Sequence, residues 1–353
     1  MKVLTVNRPM KFEIQLGTRY AGYSTGSCKP GEKVSIVEKE FISSEDGDLF
    51  ISRLEGFPSL LLSRIAQIHE VVIVQSSIDN MLAMLRNDGT ATIHINATMR
   101  ALMQVKRAVE AGQAVYRNDI ADIKELVFDS IEIPDDVGIM VLFSVGWRKG
   151  LFYDFFSPSD RNNKRDYDLS QLLGGYYSYL SFQERFKISD SEWQSMLENG
   201  WFPFVTLNHD LINNIINHNR EGWNVDDLLP SIKEDVSKRL PNGLRTWANV
   251  KAFEPHIAFI LKAAEHYENN DPISCISVLF PRIEGIMRVF QSIQGQPEKA
   301  KQKELASTVI SPHANPKNHQ FSPLLPLRFQ QYLSEVYFAN FDPSSADNAL
   351  SRN

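Results

Sequence analysis

The residues whose side chains are best suited to binding or catalysis lie close together in segment 146–154, GWRKGLFYD. Trp147 and Arg148 stand at a predicted hairpin turn, where an indole and a guanidinium would bind a ligand or stack on a nucleobase. Asp154 ends the returning strand, and with Asp166 and Asp168 it would form a carboxylate cluster. The competing interpretation, which we favour, is structural. In it Trp147 anchors the sheet edge and the charged side chains pair at the surface.

The common motifs of nucleotide, metal and cysteine chemistry are absent from this sequence. No Gly-x-Gly-x-x-Gly occurs, and the loop with Gly22 and Gly26 is not followed by Gly-Lys-Ser/Thr. The eight histidines are scattered, so we predict no metal site and no cofactor. Cys28 and Cys275 have no recognisable activating partner nearby, and we expect both to be free thiols.

The end of the chain carries a further pattern. Several helices are predicted between residue 250 and the last two residues, Arg352 and Asn353. This arrangement resembles the HEPN superfamily (higher eukaryotes and prokaryotes nucleotide-binding). In that family an α-bundle carries an Arg, a polar residue and, a few residues later, a His. The resemblance covers roughly residues 250–353. Glu284, on a long helix ahead of the motif, resembles the acidic helix residue of many members.

The resemblance implies an RNA-cleaving or RNA-binding effector of a microbial stress or phage-defence system. The guanidinium of Arg352 would clamp a phosphate, while a His would take the proton from an RNA 2′-hydroxyl. That His would follow Asn353, where this sequence ends. The resemblance therefore implies either a chain truncated before its catalytic His or a non-catalytic relative. Since the family commonly pairs two protomers, it also implies a homodimer.

A second hypothesis belongs to another class. In it the chain is a non-enzymatic interaction and dimerisation protein, whose N-terminal domain binds a ligand or a partner. Whether the chain is an enzyme stays open at this point.

Charge and composition limit the partners. The chain has 353 residues, with 37 Lys and Arg against 43 Asp and Glu, and a net charge of −6. The two signs are mixed along the chain, which excludes broad coating of double-stranded DNA but not RNA binding by a small basic cleft. The N-terminus lacks the pattern of a signal peptide, and no apolar run approaches the roughly 20 residues needed to span a bilayer. We therefore predict a cytoplasmic protein without a membrane partner.

Apolar periodicity changes near residue 160 and predicts an α+β fold. Residues 1–160 show the alternation of half-buried strands, which predicts a mixed or antiparallel sheet with a few helices. Within this half, segments 78–85 and 99–111 have helical spacing. Residues 161–353 have helical signals throughout, which predicts an all-α bundle.

Local signals predict several helix ends in the second half. Ser189, followed by Glu192, is typical of a capping box. Asp271 is the expected cap of a long helix that Pro272 opens. Pro241 is expected to stop another helix.

Overall fold

The computed structural model describes residues 2–18, 20–155, 165–295, 301–308 and 321–339. The chain divides into two compact units, and each is described by itself. Unit 1 comprises Met1–Met103, Ile123–Gln183 and Lys317–Phe321, and unit 2 comprises Gln104–Asp122, Glu184–Pro316 and Ser322–Asn353. Residues 104–122 thus group with the helices of unit 2, and residues 165–183 with the sheet of unit 1. The predicted α+β class is confirmed.

The described residues form twelve strands, named in chain order: β1 (Lys2–Leu4), β2 (Met10–Gln15), β3 (Tyr23–Ser24), β4 (Ile36–Val37), β5 (Lys39–Ser43), β6 (Val71–Ile73), β7 (Asn80–Leu85), β8 (Thr90–Ile95), β9 (Met99–Val105), β10 (Ile120–Phe128), β11 (Gly138–Val145) and β12 (Arg148–Asp154). Six of them form one sheet in the order β2-β8-β7-β11-β12-β5. Every neighbouring pair in this sheet is antiparallel. The prediction of a mixed or antiparallel sheet is thus confirmed in its antiparallel form.

The helix expected over residues 78–85 is wrong, because this segment contains the central strand β7. Met81 and Ala83 belong to the core on one face of the sheet, whereas Leu82 and Met84 belong to the core on the other face. A strand covered on both faces is apolar at successive positions, so its sequence loses the alternation that identifies a strand.

The helix expected over residues 99–111 is also wrong. Residues Met99–Val105 form β9, which pairs with β10. Met99, Ala101 and Met103 are half-buried on one face, while Leu102 and Val105 are exposed. The helical spacing depends on Leu102 and Val105, which are exposed to solvent. The alternation of the half-buried residues Met99, Ala101 and Met103 is that of a strand with one covered face.

Three helices cover the sheet of unit 1: α1 (Asp48–Glu55), α2 (Phe57–His69) and α3 (Leu169–Ser181). Leu61 and Ile65 of α2 belong to the core on one face. Leu173 and Leu180 of α3 belong to the core on the other face. Gly174 lets α3 approach β10 closely, since a Cβ added there would lie 2.7 Å from the Cα of Glu125.

The remaining described helices follow in chain order: α4 (Gln183–Phe186), α5 (Asp190–Glu198), α6 (His209–Arg220), α7 (Leu229–Trp247), α8 (Ile257–Glu268), α9 (Pro272–Ile293), α10 (Gln302–Thr308) and α11 (Pro326–Tyr332). Trp193 and Met196 of α5 pack in one core with Ile212 and Ile216 of α6. None of the described helices is both long and apolar enough to cross a membrane.

The predicted helix caps have mixed outcomes. The capping box is confirmed, since Ser189 Oγ accepts from the N–H of Glu192 at 3.3 Å and a Glu192 carboxylate oxygen accepts from the N–H of Ser189 at 2.6 Å. The Asp271 cap is also confirmed, with its carboxylate 3.1 Å from the N–H of Ser274. The expected stop at Pro241 is wrong, because α7 continues to Trp247. Pro241 is exposed, and there water compensates the carbonyl that loses its backbone donor.

Candidate functional site

Of the residues that carry the HEPN resemblance, Glu284 lies in the described part of the chain, while Arg352 and Asn353 lie outside it. Glu284 stands on α9, and its Oε1 accepts from Arg288 Nη2 at 2.7 Å and from Nε at 3.1 Å. The two residues are one helical turn apart and both are partly exposed. An ion pair of this kind is common on helix surfaces and is by itself no sign of acid–base chemistry.

The residues Trp147, Arg148 and Asp154 are brought together only in part. Trp147 is 73% exposed at the hairpin turn, and the guanidinium of Arg148 lies 4.7 Å from the centre of its indole. Arg148 also donates from Nη1 to the carbonyl oxygen of Leu180 at 3.2 Å. Asp154 stands at the other end of β12, about 20 Å away at ~3.3 Å per residue. One site cannot use all three side chains.

Asp154 belongs to a bonded group of its own. Its Oδ2 accepts from the hydroxyl of Tyr167 at 2.6 Å, and Lys39 Nζ lies 3.6 Å from the same oxygen. The Lys39 ammonium also sits 3.4 Å from the centre of the Tyr167 ring. Burial and the hydrogen bond to Asp154 raise the pKa of Tyr167. Asp168 caps α3 instead, since its carboxylate accepts from the N–H of Gln171 at 3.1 Å.

Beside this group unit 1 has a cleft of about 450 Å³. Its lining residues come from β10, from the segment after it, from the residues before α3 and from α3 itself, and they include Leu126, Phe128, Ile133, Arg165, Tyr167 and Leu173. Arg165 is oriented by a 3.1 Å hydrogen bond from Nη2 to the carbonyl oxygen of Val137. The cleft combines apolar walls with the cation of Arg165 and the carboxylates of Asp135 and Asp168, which is suited to a small ligand with both apolar and polar groups.

Another set of titratable residues, which the sequence analysis did not single out, meets in unit 2. We call four residues the basic cluster: Lys106, Arg117, Arg185 and His209. Lys106 follows β9, and its Nζ donates to the carbonyl oxygen of Leu207 at 3.2 Å. His209 begins α6, and its backbone N–H donates to the side-chain oxygen of Asn118, next to Arg117, at 2.9 Å. The loop after β9 and the start of α6 are thereby joined.

Arg185 is the buried member of the basic cluster, only 2% exposed. It lies on α4, and its Nη1 donates to the carbonyl oxygen of Pro323 at 3.2 Å. Burial and the nearby charge of Arg117 lower the pKa of Arg185 to about 10. Because a guanidinium is normally among the most strongly protonated groups in a protein, this lowering indicates surroundings that are unfavourable to positive charge.

The same repulsion acts on Lys106 and His209. Burial lowers the pKa of Lys106 to about 8, and the charges of Arg185 and Arg239 add to the lowering. Burial lowers the pKa of His209 to about 4, and the charges of the other three cluster members add to that lowering. At pH 7 the imidazole is therefore neutral, while the ammonium and the two guanidiniums carry charge.

Two carboxylates near the basic cluster are each bonded to another arginine. Asp119 Oδ2 lies 2.8 Å from Arg107 Nη2. Asp235 Oδ1 lies 2.9 Å from Arg239 Nε, and its Oδ2 accepts from the N–H of Asn208 at 3.0 Å. These pairs hold the loop after β9 and the start of α6 in place. The negative charges of Asp235 and Asp119 also act on Lys106 and oppose the lowering of its pKa.

The described residues contain no group of three or more His, Cys, Asp or Glu that could hold a metal ion. Cys28 and Cys275 are both free, as expected, the first exposed and the second buried. Comparisons of this chain with protein-family models, with curated proteins and with solved structures find no match. The function must therefore be inferred from the residues of the site.

Proposed function

We propose that the protein is an RNA-binding effector whose basic cluster binds phosphate groups of single-stranded RNA. The observation that carries the proposal is the gathering of Lys106, Arg117 and Arg185 around the first residue of α6. Packing like charges together is unfavourable for the folded chain alone. The negative charge of a bound phosphate would attract all three positive side chains and offset their mutual repulsion.

The chemistry of the side chains fits a phosphate. A guanidinium binds phosphate oxygens with paired, charge-assisted hydrogen bonds, and an ammonium adds a point charge. Arg117 is exposed, so it can be the first group to meet a ligand from solvent. Arg185 and the partly buried Lys106 would act from a less polar environment, where salt screens charge less.

Two arguments favour single-stranded RNA among phosphate ligands. The basic cluster is small, and with a net charge of −6 the chain is unsuited to a long rigid duplex. A flexible single strand can bring a few phosphates to such a cluster. The resemblance to HEPN proteins independently implies RNA. Cleavage of the bound strand, in a microbial stress or phage-defence system, rests on that resemblance through Arg352, Asn353 and Glu284.

The test is fluorescence anisotropy with a short labelled single-stranded RNA over a range of salt concentrations. Arg117→Ala should weaken binding about tenfold, which is ~1.4 kcal/mol. It should also make the dependence of log affinity on log salt shallower by about 0.7, the value for one phosphate contact to a single strand. The matched control is Lys238→Ala, which removes one positive charge from a 71% exposed side chain of α7 and should leave binding unchanged.

Equal affinity of the wild type and Arg117→Ala would contradict the assignment of the basic cluster. Absence of RNA binding by the wild type would contradict the function itself. Cleavage is followed with the same RNA on a denaturing gel. Where it occurs, Arg352→Ala should abolish it, because the phosphate-clamping guanidinium is lost.

A non-enzymatic interaction protein is the second candidate. The cleft of about 450 Å³ in unit 1 supports the ligand-binding part of this alternative. Ile273 and Ile276 on α9, which are 79% and 53% exposed, support the dimerisation part. Large apolar side chains grouped on an exposed helix face commonly mark an interface. This candidate predicts a dimer that does not bind RNA.

A further inference from the structure

Unit 2 has a pocket of about 310 Å³ at the other end of α6 from the basic cluster. It lies among residues from the ends of α5 and α6 and from the turn that follows α6, and its lining includes Ser195, Trp201, Asn219, Trp223, Asn224 and Asp226. His209 and Asn219 are ten residues apart on α6, which separates the two sites by about 15 Å along the helix axis.

Two indoles line the pocket. Trp201 packs against the core of unit 2, and its backbone N–H donates to the carbonyl oxygen of Met196 at 2.8 Å. Trp223 is 61% exposed, although its backbone and its ring both have contacts. Its backbone N–H donates to the carbonyl oxygen of His218 at 2.8 Å, and the rings of Trp223 and His218 meet edge to face at 5.3 Å. An exposed indole fixed at a pocket provides a face on which a flat ring can stack.

The polar side chains of the pocket are mostly committed to one another. The buried Asn219 accepts from the hydroxyl of Ser195 at 3.0 Å and donates to the carbonyl oxygen of Glu192 at 2.8 Å. The Asn224 side chain accepts from the N–H of Asp226 at 3.0 Å. The carboxylate of Asp226 accepts no hydrogen bond among the described contacts. It is the charged acceptor of the pocket lining, and a ligand can use it.

We propose that this pocket binds a nucleobase carrying an exocyclic amino group, stacked on Trp223 and donating to the carboxylate of Asp226. The inference rests on the proposed function, since it assigns a base of the same RNA strand whose phosphates meet the basic cluster. Cytosine is the simplest such base, because its amino group donates where uracil has a carbonyl oxygen. A carboxylate in the pocket attracts the amino group and repels that carbonyl oxygen.

The arrangement favours a base over a phosphate or a free sugar. The negative charge of Asp226 disfavours a phosphate in the pocket itself. A sugar ring would also stack on an indole, yet nothing in a free sugar would link this pocket to the basic cluster. A single strand joins both sites, because its phosphates and bases are parts of one ligand.

The experiment compares short unstructured oligo(C), oligo(U) and abasic strands by anisotropy. The wild type should bind oligo(C) about tenfold more tightly than oligo(U). Asp226→Asn should remove this preference. Trp223→Ala should weaken both pyrimidine strands about tenfold, because it removes the stacking face, and should leave the abasic strand unaffected.

The matched control is Asp227→Asn, the next residue on the same turn, which changes the charge equally but does not line the pocket. It should keep the preference for oligo(C). Arg117→Ala, at the basic cluster, should weaken all three strands and also keep the preference.

The outcomes separate the two proposals. If all three strands bind equally well to the wild type, the pocket assignment is wrong while phosphate binding at the basic cluster stands. If none of them binds, both proposals are wrong. Quenching of tryptophan fluorescence by methyl glucoside but not by cytidine, with the quenching lost in Trp223→Ala, would show a carbohydrate pocket and would overturn the inference.

Discussion

Arg185 is almost fully buried, and the charges of Arg117 and Lys106 act in the same neighbourhood. Each unit by which a pKa is lowered corresponds to about 1.4 kcal/mol between the charged and neutral forms. The stability of the fold does not require this arrangement, because apolar residues could fill the same space without burying charge. Groups whose pKa values are lowered in this way are typical of functional sites.

His209 allows this view of the basic cluster to be tested without any ligand. Its pKa is about 4 in the folded chain, below its ordinary value of 6.5. Between these values the unfolded chain binds more protons, so the folded state loses stability as the pH falls from about 6.5 to about 4. Replacing His209 with Gln should remove up to about 3 kcal/mol of this acid destabilisation. Urea denaturation at a series of pH values measures the effect.

His218→Gln is the control for this experiment. His218 lies on the same helix but is only partly buried, and its ring contacts Trp223 and the carbonyl oxygen of Asn224. The pH dependence of this variant should follow the wild type. Parallel curves for the wild type and His209→Gln would mean that burial and the surrounding positive charge do not lower the pKa of His209 in the folded chain.

No residue pattern in the sequence could have identified the basic cluster. Its members stand at 106, 117, 185 and 209, in a loop, a three-residue 3-10 helix, a four-residue α-helix and the start of a longer α-helix. Sequence spacing identifies residues on one helix or one strand, whereas these meet only through tertiary packing. The hairpin turn at Trp147 and Arg148, in contrast, depends on residues that are adjacent in sequence. It was therefore predictable, and the structure has it between β11 and β12.

The elements show which local signals are reliable. The alternation in residues 1–160 predicts strands with one buried face, and β2 is such a strand, since Phe12 and Ile14 are buried while Lys11, Glu13 and Gln15 are exposed. The caps at Ser189 and Asp271 were predicted because a cap depends on bonds within a few residues. β7 was not, since its two faces are covered by distant parts of unit 1. Long-range burial therefore limits prediction at this scale.

The contact between α3 and β10 provides a prediction for elements. Gly174→Ala should destabilise the protein by about 1–3 kcal/mol, because the new methyl group would overlap the backbone of Glu125. Helix propensity alone predicts the opposite sign, since alanine favours a helix over glycine by about 1 kcal/mol. The free energy of unfolding in urea decides between them.

Gly243→Ala supplies the matched control for this prediction. Gly243 lies inside α7, and a Cβ there would meet the ring of Trp247 at 3.5 Å, an ordinary contact. This substitution should be neutral or stabilising by up to about 1 kcal/mol. If both substitutions stabilise the protein, the close approach of α3 to β10 does not restrict residue 174.

At the scale of the whole molecule, the net charge of −6 gives no sign of the basic cluster of unit 2, because it is a sum over all 353 residues. The net charge determines long-range attraction, and a negative value argues against electrostatic steering of RNA from a distance. The RNA binding that we propose would then depend on short-range contacts with few phosphates, together with stacking of bases. The pairing of a small basic cluster with a two-tryptophan pocket agrees with that requirement.

The oligomeric state is the prediction at the scale of the whole molecule. The homodimer that we propose would bury the exposed isoleucines of α9, since Ile273 and Ile276 lie three residues apart on one face. The wild type should sediment with a mass that rises from one chain to two as the concentration increases. The double variant Ile273→Asp, Ile276→Asp should remain a single chain, because two carboxylates cannot be buried in an apolar interface without large cost.

Leu327→Asp, at a 67% exposed position of α11, is the control and should dimerise like the wild type. A wild type that stays monomeric at every concentration would contradict the dimer in both candidate functions.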